Sequence, residues 1–177
     1  MIDTSEIILS PVKVVYLQMN SRPTLRLPQR DHIVFELQPA PVSAGQYRDW
    51  YYGVGKLWNW VDRMIMEDTE LLSLINSPEN EIYLMKVNDE FAGFAEFTRK
   101  GDCVEIQYFG LVPAYIGKGL GKYFLDMVIN QAWSYNPKWI QLNTCELDHH
   151  NALHVYKSMG FQEIKTNVEM RRVALIE

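Results

Sequence analysis

Apolar residues recur at helical spacing in the second half of the chain, directly after a glycine-rich stretch. They form one stripe at i, i+3, i+4, i+7, i+8 and i+12: Leu120, Tyr123, Phe124, Met127, Val128 and Ala132. Such a stripe is typical of an amphipathic helix packed on a sheet. We expect this helix to end near Asn136, because Pro137 pushes the residue before it out of the helical region.

The residues before the glycines alternate with the period of a strand. Over residues 103–112 a period of two predicts a strand with one face toward the core. The two predicted faces are Val104, Ile106 and Tyr108 against Glu105, Gln107 and Phe109. The local order is therefore strand, glycine-rich loop, helix.

The other patterns predict a mixed α/β chain. Strands are expected over residues 13–19, 32–38, 81–87, 91–99, 139–145 and 163–173, and helices over residues 43–54, 57–66 and 67–75. Residues 88–90 lie between two alternating runs and predict a hairpin turn. No domain boundary or internal repeat is visible, so residues 1–177 are expected to form a single domain.

The glycine-rich stretch predicts a phosphate-binding loop. Glycines at 117, 119 and 121 allow a tight turn and a close approach of the backbone to a ligand. The free N–H groups of the following helix carry a positive partial charge that favours a diphosphate. A turn with a purely packing role is the alternative that these glycines leave open.

Two well-known phosphate loops are excluded by spacing. A P-loop requires glycine at position 116 and Ser or Thr at position 123, where this chain has Ile116 and Tyr123. A dinucleotide fingerprint that starts at Gly117 places its third glycine on Lys122.

A second segment makes the pattern specific. After the predicted helix and a strand come the letters N-A-L-x-x-Y-x-x-x-G-F, from Asn151 to Phe161. Together with V-P-x-x-x-G-K-G-L-G-K, this segment resembles the GNAT superfamily of acyl-CoA-dependent N-acetyltransferases. The resemblance covers residues 80–170, and the letters L-D-H-x-x-A-L-x-x-Y are similar to a bacterial branch of that superfamily. It implies the GNAT fold, with a mixed central sheet flanked by helices.

The resemblance implies acetyl-CoA as co-substrate. Its pyrophosphate is expected on the backbone N–H groups of Gly117, Lys118, Gly119, Leu120, Gly121 and Lys122. Leu111 and Val112 are expected to pair with the pantetheine arm. The family motif usually begins with Gln or Arg, whereas this chain has Ile116, so only backbone donors are expected there.

The resemblance also implies the catalytic residues. Tyr156 occupies the position of a tyrosine that protonates the departing thiolate. Glu105 matches the general base of several family members, since a protonated amine must lose a proton before it attacks. Glu96 is the alternative base or ammonium ligand. Where the family commonly has Asn, this chain has His149, and Asn151 is the expected CoA-contacting or helix-capping residue.

The acceptor side is expected among aromatic residues near the N-terminus. Trp50, Tyr51, Tyr52, Trp58 and Trp60 form a dense aromatic group. The first helices of the implied fold border the acceptor cleft, so Tyr51 and Trp58 are predicted to bind the acceptor. The alternative is that these rings belong to the core.

Composition limits the partners and the compartment. The net charge of −5 disfavours nucleic acid and mildly favours a cationic acceptor. No apolar run suits a membrane span or a secretory leader, so a cytoplasmic protein is expected. Cys103 and Cys145 lie at opposite ends of strands that are parallel in the family, so both thiols are expected to be free. His150 and His154 lack further ligands at metal-binding spacing, so no metal is expected.

The sequence-based hypothesis is an N-acetyltransferase that moves an acetyl group from acetyl-CoA to a primary amine of a small molecule or peptide, by direct transfer in a ternary complex. The alternatives are an O-acyl or longer-chain acyltransferase, and a non-catalytic acyl-CoA sensor. The resemblance also allows a homodimer.

Overall fold

A computed structural model of the chain describes residues 7–24 and 26–175. Within these residues, seven strands and five α-helices follow one another in the order β1 (Ile7–Met19), β2 (Ile33–Leu37), α1 (Ala44–Gly55), α2 (Asp62–Ile65), α3 (Asp68–Ile75), β3 (Asn80–Val87), β4 (Glu90–Lys100), β5 (Cys103–Leu111), α4 (Gly121–Ser134), β6 (Trp139–Cys145), α5 (Ala152–Ser158) and β7 (Gln162–Ala174). A short 3₁₀ helix, Pro113–Tyr115, lies between β5 and α4.

The strands form one sheet in the order β2-β3-β4-β5-β6-β1-β7. Neighbours pair antiparallel except β5 and β6, which pair parallel. One apolar cluster packs α4 and α5 on one face of the sheet, and a second packs α1 and α3 on the other. The predicted mixed α/β class, with strand, glycine loop and helix at its centre, is confirmed.

Strand β1 is longer and more central than its pattern predicts. It begins at Ile7, lies between β6 and β7, and pairs over Ile7–Gln18 with β7. Val14 and Leu17 are completely buried in this position. The prediction of residues 13–19 recovered only the half of β1 that also pairs with β6.

The predicted helix over residues 57–66 is wrong in its first half, since α2 covers only Asp62–Ile65. Asn59 adopts a left-handed backbone conformation with φ 56°, which a continuous right-handed helix excludes. Trp60 then packs against Gly55, where an added Cβ would lie 2.4 Å from the Trp60 Cβ. The segment is therefore a loop that carries aromatic rings back over α1.

The predicted faces of β5 are wrong beyond Ile106. Glu96 of β4 pairs with Tyr108 and Phe97 pairs with Ile106, so Gln107 is an extra residue in β5. Such a bulge changes the face on which the following side chains lie. Phe109 therefore packs with α4, and Tyr108 packs with α1.

The hairpin, the main helix and the thiols follow the predictions. Asn88 and Asp89 both have positive φ at the β3–β4 turn, and α4 ends at Ser134 before Pro137. Cys103 pairs with Trp139 at the start of β6, while Cys145 is the last residue of that strand. Both cysteines are free.

Candidate functional site

A cleft lies where β5 and β6 separate. The two strands pair only at three positions, from Cys103 with Trp139 to Glu105 with Gln141. Beyond Glu105 they diverge, and a cavity of about 710 Å³ opens between them. The loop before α4, the start of α5 and the loop after α1 complete its walls.

The cleft has two chemically different sides. Toward α4 and α5 its lining is apolar, with Ile106, Phe109, Leu142 and Val155. On the other side of the cleft, the strands contribute four polar residues: Gln107, Asn143, Cys145 and Arg171. The site can therefore hold an apolar arm on one side and a polar molecule on the other.

The glycine loop forms the mouth of the apolar side. Gly117 and Gly119 line the cleft with φ of 77° and 71°, and a Cβ added at either would meet no atom within 4 Å. Helix α4 starts at Gly121, and its first turn has no side-chain cap among the described residues. Free N–H groups at a helix start, with open space above glycines, fit a diphosphate such as that of acetyl-CoA.

The two residues expected to pair with the pantetheine arm differ. The N–H of Val112 donates to Ala92 at 2.9 Å, and its C=O accepts from Tyr115. Both of its backbone groups are engaged within the protein, and Val112 does not line the cleft. Leu111 lines the cleft, and backbone alternation turns its N–H and C=O away from β4. The structure therefore corrects the prediction for Val112 and leaves Leu111 as the backbone partner.

Tyr156 projects from α5 into the cleft and is 9% exposed. Its ring packs against Phe109 and Phe161. Burial raises the pKa of its hydroxyl well above the ordinary tyrosine value, and the charge of Asp148 adds to the shift. The hydroxyl therefore stays protonated, as a proton donor requires.

Asp148 is a cleft carboxylate that sequence reasoning missed. Its Oδ2 accepts from Thr144 Oγ1 at 2.8 Å and from the N–H of Cys145 at 2.9 Å, and its Oδ1 accepts from Trp60 Nε1 at 3.4 Å. These donors hold the carboxylate at the end of β6, where it lines the cleft. Its sequence signal was the L-D-H triplet that begins the family-like segment.

Glu105, the predicted base, lies where β5 and β6 still pair. Glu105 belongs to the last parallel pair before the strands separate, and it does not line the cleft. Its carboxylate forms an ion pair with Lys100 and accepts from Gln141 Nε2. Glu105 lies at the closed end of the separation, and its role as the base stays a prediction.

Glu96 is excluded from contact with a substrate by burial. It is completely buried, accepts from the Tyr47 hydroxyl, and pairs with Arg63 at 3.1 Å. Burial raises the pKa of its carboxyl, while Arg63 and Tyr47 oppose that shift. Glu96 instead anchors α1 and α2 to β4.

Aromatic residues line one wall of the cleft. Tyr51 and Trp58, the predicted acceptor residues, both line it. Tyr51 is 1% exposed and packs edge-on against Tyr108, whereas Trp58 packs against His149. Tyr51 therefore also belongs to the core, as its alternative interpretation expected.

Asn151 and His149 lie together at the start of α5, and both line the cleft. Asn151 is the N-cap residue, but its side chain makes no capping bond, so the capping role predicted for it is wrong. Its backbone N–H donates a local hydrogen bond to His149 Nδ1 at 3.2 Å. Its CoA-contacting role stays a prediction.

Comparison with known proteins agrees with this geometry. The sequence profile of the "Acetyltransferase (GNAT) family" matches residues 42–161. This chain belongs to the GNAT acetyltransferase family. No protein of curated function matches it.

Three solved structures illustrate the shared fold. A GCN5-related N-acetyltransferase from Sphaerobacter thermophilus has a TM-score of 0.64 at 12% identity, with 94% of this chain and 53% of that chain covered. A GCN5-related N-acetyltransferase from Kribbella flavida has 0.57 at 14%, with 93% and 59% covered. A functionally unknown conserved protein from Staphylococcus epidermidis has 0.60 at 15%, with 95% and 64% covered. The chain thus spans about half to two thirds of these proteins.

The described residues contain neither a membrane-spanning helix nor a metal-binding group. Over residues 7–24 and 26–175, no helix is long and apolar enough to cross a membrane. In the same ranges, no group of three or more His, Cys, Asp or Glu side chains is arranged to hold a metal ion.

Proposed function

We propose that this protein is an N-acetyltransferase that transfers the acetyl group of acetyl-CoA directly to a primary amine. The observation that carries the proposal is the union of three features in one cleft: the open glycine loop at the start of α4, the protonated hydroxyl of Tyr156 and the carboxylate of Asp148.

Acetyl-CoA supplies an activated thioester. We assign its pyrophosphate to the backbone N–H groups from Gly117 to Lys122, and its arm to the free edge of β5 at Leu111. The N–H of Leu111 is also the donor that we assign to the thioester oxygen, because backbone donors fixed in place stabilise developing negative charge without rearranging.

The two protons of the reaction are assigned to different side chains. Asp148 holds the acceptor ammonium at the end of β6 and receives its proton, directly or through water. Tyr156 gives its proton to the departing sulfur and recovers one from the attacking nitrogen, which loses its second proton as the amide forms. The three donors orient the Asp148 carboxylate, and the raised pKa of Tyr156 keeps its hydroxyl protonated until the sulfur departs.

Thermal unfolding with and without acetyl-CoA tests the cofactor site. Acetyl-CoA should raise the unfolding midpoint of the wild type, because a ligand that binds only the folded state stabilises it. Gly119→Glu should abolish that rise, since it places a negative side chain where the diphosphate binds.

Gly101→Glu is the matched control. Gly101 also has positive φ (59°) and open space around it, but it lies in the β4–β5 turn, away from the cleft. The same substitution there should keep the acetyl-CoA effect. No shift for the wild type at saturating acetyl-CoA would refute both the transferase and the sensor hypotheses.

Turnover separates those two hypotheses. The transferase should release CoA thiol when amines are supplied, and Asp148→Asn should slow this release while the thermal shift persists. A protein that binds acetyl-CoA but acetylates no amine in a broad panel would be a sensor instead.

A further inference from the structure

The polar side of the cleft contains a cation that the proposed reaction does not use. Arg171 lies on β7 and lines the cleft. Its Nη2 donates to Glu169 at 2.8 Å, and the Tyr16 hydroxyl donates to the same carboxylate. The guanidinium is therefore held through Nη2 by Glu169, and Glu169 is itself held by Tyr16.

The remaining donors of Arg171 are not all accounted for. Its Nε is fully buried and has no hydrogen-bond partner among the described residues. Buried polar groups are almost always paired, so the orphaned Nε shows that the protein alone does not satisfy this guanidinium. The Arg171 side chain is 35% exposed, and a ligand oxygen can reach it through that exposed part. Arg63 Nε is also orphaned, but Arg63 lies outside the cleft, against Glu96.

The neighbouring cation in the cleft does not compete for this role. Arg172 lines the cleft too, but its Nη1 pairs with Asp62 at 2.8 Å. That pair joins β7 to the start of α2. Arg171 is therefore the cleft arginine with an unused buried donor.

Arg171 and Asp148 both influence one thiol, that of Cys145. Both charges act on Cys145: Asp148 raises the pKa of its thiol and Arg171 lowers it. Asp148 follows β6, whereas Arg171 lies on β7, two strands away across β1. Neighbouring strands lie about 4.8 Å apart, so the backbones of β6 and β7 are about 10 Å apart, a distance that a small molecule can span.

We propose that the acceptor carries a carboxylate at the end remote from its reactive amine, and that Arg171 binds this carboxylate while Asp148 receives the amine. A planar guanidinium is well suited to a carboxylate, because it can donate two parallel hydrogen bonds. The aromatic wall at Trp58 and Tyr108 borders the space between the charges. This inference rests on the proposed function for the identity of the amine end.

A matched pair of acceptors tests the proposal. The acid 4-(aminomethyl)benzoate and the neutral ring benzylamine share the same amine and differ by a remote carboxylate. The wild type should have a kcat/KM about ten- to hundredfold higher for the acid, the range expected of a charge-assisted hydrogen bond. Arg171→Gln should bring the ratio of the two values close to one.

Lys165→Gln is the control for net charge. Lys165 is an exposed cation on the same strand, over the Tyr16 ring, and it does not line the cleft. Loss of its charge should leave the preference for the acid in place. A wild type without preference, or a preference that survives Arg171→Gln, would overturn the proposal.

Binding without turnover separates this inference from the proposed function. Titration calorimetry of 4-(aminomethyl)benzoate should show binding to the wild type that Arg171→Gln weakens at least about tenfold. Such binding together with no acetylation would refute the transferase while retaining the acid site. Equal binding to both proteins would refute the acid site alone.

Discussion

Trp60 Nε1 donates to Asp148 Oδ1 at 3.4 Å, and this contact joins the loop after α1 to the end of β6 across the cleft. The two residues are far apart in sequence, and each belongs to a different wall. Trp60 also packs against Tyr51 and Tyr108, so the position of the carboxylate is tied to the aromatic wall. In the proposed mechanism, substrate recognition and proton acceptance are therefore coupled through one indole.

Replacement of Asp148 by Asn should separate binding from chemistry. Asn retains the size of the side chain but cannot accept the ammonium proton, so we expect kcat/KM for amines to fall by about 10²-fold or more. The acetyl-CoA thermal shift should persist. Asp102→Asn removes a carboxylate from an exposed pair with Lys138 and should have no effect on turnover. Unchanged kinetics in Asp148→Asn would contradict its assignment as base.

Tyr156→Phe should lower kcat by about 10²-fold, since the departing sulfur then has no side-chain proton donor. The pH profile gives an independent measurement. An ordinary tyrosine ionises at about pH 10. Because burial raises the pKa of Tyr156, its hydroxyl remains protonated at that pH. The wild-type kcat should therefore stay level up to that pH. A fall of kcat below that pH that is absent in Tyr156→Phe would show that the Tyr156 hydroxyl ionises at a lower pH than expected.

Gly110 marks the closest approach of α1 to β5. A Cβ added there would lie 2.5 Å from Val54 Cγ1, so Gly110→Ala should force the helix outward and destabilise the fold by about 1–3 kcal/mol. Gly45→Ala near the start of α1 meets no atom within 4 Å and should be neutral or stabilising by up to about 1 kcal/mol. Urea unfolding measures both. Equal effects of the two substitutions would refute the steric explanation.

The buried pair of Glu96 and Arg63 should behave as a unit. Arg63→Met leaves a buried carboxylate without its partner, and we expect a loss of about 3–5 kcal/mol of unfolding free energy. The double variant Arg63→Met/Glu96→Leu should recover much of that loss, because no charge is left in the core. Urea unfolding of the single and double variants gives the coupling energy, and additive losses would contradict the pairing.

Local patterns predicted the centre of the fold well. The stripe of α4, the glycine loop and Pro137 each act over a few residues, so their consequences can be derived from spacing. The bulge at Gln107 could not be predicted, because it depends on how β4 pairs with β5. That one extra residue decides which aromatic side chains face α4 and which face α1.

Asp148 was not predicted to lie in the cleft, for a related reason. Glu105 and Asp148 look equally polar in sequence, but the separation of β5 and β6 begins after Glu105. Where two strands part is a property of the whole sheet. The place of Arg171 in the cleft is harder still to predict from the sequence, because β1 lies between β7 and β6 in the sheet.

The position of β1 has a consequence for how the chain folds. Val14, which pairs with Cys145 and Asn167, must wait for residues synthesised more than a hundred positions later. Contacts of such separation form slowly, because a long loop must close before they are gained. During synthesis the apolar side chains of β1 remain without a partner strand, which favours capture by chaperones or by other chains. The wall that carries Arg171 consequently assembles only after β6 and β7 have both been synthesised.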